Sequence, residues 1–358
     1  MAQNQAAIDD DKLHEFVQQV FTDVAAAAGG AMVSLGHKLG LYQALADEGG
    51  GTSEAIARRA GCAERYVREW LNSQVAAGYV SFDPETARYS LSPEQAMVLA
   101  NPESPVFLPM AFEVPATLWL DEDKAIDAFR SGRGVPWGEH HERLFCGTAS
   151  FFRNGYQANL VSEWLPALDG MVERLERGAR VADVGCGFGY STTLMAQAFP
   201  NSTFHGFDNH APSIEAARDL ARREGLEDRV TFTEATAKSI PQEQPFDLVC
   251  FFDCLHDMGD PLGAARHARE SLAPDGRVML VEPRAGDQLE ENVGPVGRMY
   301  YSASTVLCCA HSLSEEVGTA LGAQAGEARL GEVFREAGFS DFRRATETPF
   351  NLILEARP

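Results

Sequence analysis

The chain of 358 residues is long enough for two domains of ordinary size, each burying its own core. With 45% hydrophobic and 23% charged residues its composition is that of a globular protein, which argues against wholesale disorder. A net charge of -22 argues against general affinity for nucleic acid or anionic lipid, because both need cationic surface.

The start, Met1 to Asp11, is polar and acidic, without the basic opening and apolar middle of a secretory signal. No apolar run approaches the roughly 18 to 20 residues of a membrane span. A cytoplasmic chain with no membrane partner is therefore expected. Leu13, Phe16, Val17, Val20 and Phe21 recur at helical spacing, and a second helical stretch runs through Leu35, Leu39, Leu41 and Leu45. Gly49 to Gly51 breaks the pattern. Thr52 or Ser53 can cap a short helix through Arg59, which Gly61 ends. The next helix covers 63–77, with Tyr66, Trp70, Leu71 and Val75 on one face. Residues 79–82, a turn at Asp83-Pro84-Glu85-Thr86, and residues 88–91 read as a hairpin. Helices followed by a two-stranded wing are the winged-helix arrangement, here over residues 1–100.

Residues 1–95 hold seven Lys and Arg against thirteen Asp and Glu, a net of -6. The helix that would read DNA mixes Arg65 and Arg68 with Glu64 and Glu69, whereas a DNA reader normally shows a basic stripe. No nucleic-acid partner is expected. Lysine is scarce (Lys12, Lys38, Lys124 and Lys238), a bias also met in high-GC or salt-adapted organisms. The seven cysteines form no CxxC pair or zinc spacing, which suits reduced thiols and gives no metal site.

Residues 101–175 form a connector, with Pro102, Pro105, Pro109 and Pro115 followed by helical segments rich in aromatics. From Gly178 strands and helices alternate: strands at 181–184, 204–208, 230–233, 246–252 and 277–282, helices at 191–198, 211–223 and 261–272. Such alternation implies a doubly wound, Rossmann-like α/β sheet over 176–358, preceded by the mostly helical winged-helix domain. Residues 343–347 and 351–355 read as a closing antiparallel hairpin.

The first of these strands ends in Asp183-Val184-Gly185-Cys186-Gly187-Phe188-Gly189-Tyr190 and passes into a helix. The glycines let backbone approach a ligand where a Cβ would collide. Dinucleotide folds want GxGxxG and helix amides free for a pyrophosphate, but Tyr190 stands at the sixth position and Asp183 would repel a phosphate. A carboxylate there suits the ammonium of a methionine moiety, and Asp208, nineteen residues after Gly189, can accept both hydroxyls of a ribose. The pair favours S-adenosylmethionine over NAD.

Residues 178–283 resemble the class I S-adenosylmethionine-dependent methyltransferases, whose first motif is a strand ending in D-x-G-x-G-x-G. The resemblance implies that Asp183, Gly185, Gly187 and Gly189 support the methionine part and that Asp208, with Asn209 beside it, holds the ribose. It places Thr236 and Ala237 beside the adenine, with Thr236 where Asp is common, and Phe252 and Asp253 at the sulfonium and the methionine amine. The segment Leu255-His256-Asp257-Met258-Gly259-Asp260 is similar to the L-H-D-W-x-D motif of small-molecule O-methyltransferases. That likeness makes His256 the general base and Glu282 its carboxylate support, and a second acidic partner would fall near Gln324 to Glu327.

In that group the N-terminal domain dimerises, so a homodimer is implied, with 101–175 as a lid on the acceptor site. Trp137, Phe152, Tyr156, Tyr300 and Tyr301 are candidates for the pocket of a small-molecule acceptor, and each is equally an ordinary core aromatic. The expected reaction is methyl transfer to a hydroxyl oxygen. Transfer to carbon or nitrogen, or a winged-helix transcriptional regulator sensing S-adenosylmethionine, are the alternatives.

Overall fold

The computed structural model describes residues 8–358, so Met1 to Ala7 of the polar start lie outside the described residues. The chain divides into two compact units, Met1–Ala116 and Thr117–Pro358.

In the first unit one helix runs unbroken over Asp10–Lys38, its first turn capped by the Asp9 carboxylate, which accepts the Lys12 amide at 3.2 Å. Gly40, at φ +66°, turns the chain into a short helix Leu41–Ala46. The unit's core gathers Val33, Leu41, Tyr42, Leu45, Ile56, Val67, Trp70 and Leu71. Tyr42 donates to Gln74 at 2.6 Å and the Trp70 indole to the Met32 carbonyl at 2.8 Å, so the buried polar ends are satisfied. The apolar residues that announced the first helix take no part in this core. Leu13, Phe16, Val17, Val20, Phe21 and Val24 remain between 45% and 69% exposed.

Thr52, not Ser53, caps the helix Ser53–Ala60, and the helix Glu64–Ala76 follows. Its arginines are spent along its own surface, Arg65 on Glu69 and Arg68 on Glu64, one turn away in each case. The wing is shorter than its sequence suggests: β1 covers Ser81–Asp83 and β2 Arg88–Ser90, paired antiparallel. The amides of Tyr79 and Val80 bond back to the Gln74 carbonyl and finish the helix, which leaves β1 to begin at Ser81.

The second unit is a seven-stranded sheet flanked by helices. Its strands are β3 Arg180–Val184, β4 Thr203–Asp208, β5 Val230–Glu234, β6 Phe246–Phe252, β7 Leu272–Pro283, β8 Asp341–Glu347 and β9 Asn351–Arg357. The order is β5-β4-β3-β6-β7-β9-β8, with β3 to β7 parallel and the final hairpin antiparallel. The order reverses between β3 and β6, the position where open α/β sheets bind ligands beyond their strand ends.

The central strands are buried on both faces. In β6, Leu248, Cys250 and Phe252 face one core with Trp164, Met195 and Ile214, while Val249 and Phe251 face another with Ala265, Leu330 and Phe334. Alternation with both faces apolar explains why these strands read as continuous hydrophobic runs. The helix Ala211–Arg223 and strand β6 fall at their expected limits, whereas β7 begins at Leu272, five residues earlier than expected, where Leu272 pairs with Phe246. Glu355, buried in β9, gathers Arg277, Arg343 and Arg357, and these cations hold its carboxyl down against the burial that raises it. No described helix is long and apolar enough to cross a membrane.

Candidate active site

The site grows from the ends of β3, β4, β6 and β7. β3 delivers Asp183, fully buried, whose Oδ2 accepts the hydroxyls of Ser191 and Thr192, both at 2.6 Å. Burial pushes its carboxyl up to about 6, against those two hydroxyls, which pull it down.

The glycine turn that follows has two different reasons for its composition. Gly189, at φ +75°, would bring a Cβ to 2.5 Å from the Phe232 ring, so there close packing decides. Gly187, at φ +52°, has open space where a Cβ would stand, and its amide donates to Asp208 Oδ2 at 2.9 Å. The other oxygen of Asp208 accepts the His210 amide at 2.8 Å. Burial raises the Asp208 carboxyl, and the two amides work against that.

β6 ends in Phe252 and Asp253. Asp253 takes a left-handed backbone, φ +50°, uncommon for a residue with a Cβ and frequent where function fixes the geometry. Its Oδ1 accepts Asn351 Nδ2 at 2.7 Å, and burial drives its carboxyl well above the ordinary range, with Glu282 adding to the rise. Among the described residues neither Asp183 Oδ1 nor Asp253 Oδ2 has a hydrogen-bond partner. Two buried carboxylates with an oxygen in reserve suit a ligand ammonium, and the space at Gly187 suits a ligand passing over the turn. The residues present thus fit an amino-acid-bearing nucleoside such as S-adenosylmethionine.

The loop after β6 carries His256, 4% exposed. Its Nδ1 meets Glu282 Oε2 at the end of β7, and Glu282 Oε1 accepts the Leu255 amide at 3.1 Å. Asp257 Oδ1 lies 3.0 Å from Nε2. Burial alone would lower the imidazole, but Asp257 and Glu282 outweigh it and hold the ring well above the usual histidine range. The carboxylate on Nδ1 fixes the ring, leaving Nε2 to exchange protons. Glu327, in the stretch expected to supply a second acidic partner, instead takes Arg344 Nε at 2.7 Å.

The aromatic candidates separate into two groups. Tyr156 stacks on Phe152 at 6.0 Å and meets the Phe252 ring at 5.4 Å. Tyr300 is buried, its hydroxyl on the Phe350 carbonyl at 3.0 Å, while Tyr301 is 37% exposed. Trp137 belongs elsewhere, against His140, Phe145 and His311, and Phe145 in turn stacks on His210 beside Asp208. Asn209 reaches Glu315 at 3.4 Å; Thr236 turns back onto Ser239 at 3.0 Å, with Ala237 half-buried next to it. Residues that the sequence did not offer are Asn351 on Asp253, Cys308 beside His256 and His311 beside Trp137. Ser191 and Thr192 were readable, since hydroxyls in the first turn after a glycine loop are placed to reach the strand's carboxylate.

Residues 27–101 match the family model of an Rv2258c-like winged HTH domain, and residues 175–338 that of a methyltransferase domain. The chain joins a winged helix-turn-helix domain to a methyltransferase domain. The 27-O-demethylrifamycin SV methyltransferase of Amycolatopsis mediterranei is 31% identical over 182 residues, 49% of this chain and 65% of that protein. The match spans 65% of that protein's length and 51% of the length of the methyltransferase GfsG of Streptomyces halstedii, and less than half of other curated relatives. Among solved structures, the mitomycin 7-O-methyltransferase MmcR superposes with a TM-score of 0.71 at 17% identity, covering 98% of this chain and 100% of that one. Human N-acetylserotonin methyltransferase, in complex with SAM, gives 0.69 at 16% identity, covering 100% and 99%. At such identities these likenesses establish the fold. It is the winged-helix and doubly wound methyltransferase architecture that the sequence led us to expect.

Proposed function

We propose that the protein transfers the methyl group of S-adenosylmethionine to a hydroxyl oxygen of a small-molecule acceptor, with His256 as general base. The observation that carries this reading is the buried His256–Glu282 pair at the strand ends beside the glycine turn and Asp208. Asp183, Asp253 and the backbone of Gly185, Gly187 and Gly189 would hold the methionine end, and Asp208 with Asn209 the ribose. Thr236 and Ala237 would flank the adenine, and Phe252 the sulfur. Bound there, the cofactor supplies a methyl carbon on a positively charged sulfur, open to direct displacement.

What the protein adds is alignment and proton transfer. When the acceptor hydroxyl displaces Asp257 from Nε2, the ring loses the carboxylate that does most to hold its charge; the Nε2 proton passes to solvent, and the neutral nitrogen then takes the proton of the hydroxyl. Glu282 on Nδ1 then stabilises the imidazolium. Tyr156, Phe152, Tyr300 and Tyr301 are the proposed walls for the acceptor, with residues 117–175 as its lid. Regulation through DNA is disfavoured, because the arginines of the helix Glu64–Ala76 are paired with glutamates.

The exposed apolar stripe of the helix Asp10–Lys38 supports a homodimer. Seven free cysteines suit a reducing cytoplasm.

The test is calorimetric titration with S-adenosylhomocysteine, of the wild type and of Asp208→Ala, with NADH and a random DNA duplex as controls. Micromolar binding that weakens about tenfold or more in the variant is expected, from the loss of charge-assisted hydrogen bonds of about 1.5 to 3 kcal/mol each. Binding of NADH or DNA in place of S-adenosylhomocysteine would overturn the reading.

A further inference from the structure

We propose that His256, Asp257 and Cys308 form a site for a thiophilic divalent cation of the Zn2+ class. The imidazole, the carboxylate and the thiol lie with their donor atoms within 4.8 Å of one another. His256 and Cys308 are 4% and 8% exposed, while the Asp257 side chain is partly open to solvent. Sequence spacing hides the group, since Cys308 opens a helix, Cys308–Ser314, 51 residues after Asp257.

Two further features argue for a built site. The helix and the loop are tied together: Ser312 Oγ donates to the Met258 carbonyl at 2.8 Å, and the Gly259 amide donates to Glu315 Oε2 at 2.8 Å. Both ties follow the donors in the chain and fix the end of the loop against the end of the helix. Moreover, Nδ1 of His256 is already taken by Glu282, which is itself steadied by the Leu255 amide. A carboxylate behind an imidazole is the usual support of a metal-bound histidine, fixing the ring with Nε2 forward.

The donor set selects the ion. A thiol and an imidazole with a single carboxylate favour Zn2+, whereas Mg2+ and Ca2+ ask for several oxygens. Three protein donors leave a fourth, open position. On binding, the thiol proton and any proton on Nε2 leave to solvent, and the cation takes the freed lone pairs. That places the metal on the atom which, under the function proposed above, receives the acceptor's proton. The consequence for activity rests on that reading; the site itself does not.

Cobalt(II) is the probe, because a thiolate ligand gives it a near-ultraviolet charge-transfer band and four-coordination gives intense visible bands. Titration of the full chain is expected to show one equivalent bound with both features, displaced by Zn2+. Cys308→Ser should abolish the charge-transfer band, Asp257→Asn should weaken binding about tenfold or more, and Cys309→Ser should change neither. Far-ultraviolet circular dichroism checks that each variant is folded, and Asp257→Asn keeps the test alive if Cys308→Ser is not. A wild type without the band, or a band that survives Cys308→Ser, overturns the site. Zn2+ is further expected to stop methyl transfer reversibly, with EDTA restoring it and S-adenosylhomocysteine binding unchanged. Cobalt bound through Cys308 with transfer untouched would keep the site and remove Nε2 from the reaction, so the two readings fail separately.

Discussion

Glu282 Oε2 faces Nδ1 of His256 across twenty-six residues of chain, and both side chains are almost wholly buried. The second oxygen of Glu282 holds the amide of Leu255, so one carboxylate sets both the ring and the loop that bears it. If the imidazole is the base, His256→Ala should lower kcat by about two to four orders of magnitude, the usual worth of positioned proton transfer. Glu282→Gln keeps the shape and loses the charge, and its loss should be smaller. Neither change should alter the dissociation constant for S-adenosylhomocysteine by more than a few-fold. Steady-state kinetics with calorimetry separates these effects. An unchanged kcat in His256→Ala would leave alignment alone to drive transfer.

The glycine turn offers a sharper division. At Gly189 an added methyl meets Phe232 at 2.5 Å and Ala217 at 3.0 Å, with φ at +75°, so Gly189→Ala should cost several kcal/mol and lower Tm markedly. At Gly187 nothing lies within 4 Å of the added methyl, so only the left-handed backbone is penalised, by about 1 to 2 kcal/mol. Gly187→Ala should stay folded and lose cofactor affinity, because the methyl enters space reserved for ligand. Thermal melts of both variants, with and without S-adenosylhomocysteine, check this. A Gly187→Ala protein that binds normally would show that the open space faces something else.

Asp183 gives a pH dependence of definite sign. Its carboxyl sits near 6 in the folded protein against an ordinary 3.8, so the fold favours the neutral form. Below the unfolded value both states are protonated and the group is neutral to stability. As pH rises from about 4 to 6 the folded state holds the proton longer, and stability falls. Above about 6 the full cost stands, at most about 3 kcal/mol. Asp183→Asn should therefore raise Tm at neutral pH and converge on the wild type in acid, provided no ligand is present. Wild-type affinity for S-adenosylhomocysteine should drop as pH falls through about 6, while the variant binds weakly throughout. Scanning fluorimetry across that range reads both, and parallel Tm curves for the two proteins would contradict the account.

Much of this site was legible because its parts are local. The turn at Gly185, Gly187 and Gly189, the acid at the end of β4 and the histidine just past β6 lie next to strands whose two buried faces make them unbroken apolar runs. What sequence could not supply are partners delivered by folding. Asn351 reaches Asp253 across 98 residues, and Cys308 joins His256 through a helix that no motif marks. Glu327 shows the converse: it falls in the stretch where the family pattern suggested an acidic partner, yet a nearby arginine on β8 claims it. Periodicity also says that a helix has an apolar face without saying what covers it, and the helix Asp10–Lys38 illustrates the gap.

Along that helix Leu13, Phe16, Val17, Val20, Phe21 and Val24 follow the three- and four-residue spacing of one face, all at least 45% exposed. Apolar area of this extent gains about 25 cal/mol per Å² when covered, and an isologous pairing of two such stripes would cover both at once. Phe16 and Phe21, 62% and 69% exposed, carry much of the area. Phe16→Glu with Phe21→Glu places a charge at each position without harming helix formation, since Glu is a good helix former. Sedimentation equilibrium should give a dimer for the wild type and a monomer for the double variant, with circular dichroism unchanged. A dimer that survives both charges would move the interface off this helix, and a wild-type monomer would leave the stripe for a different partner.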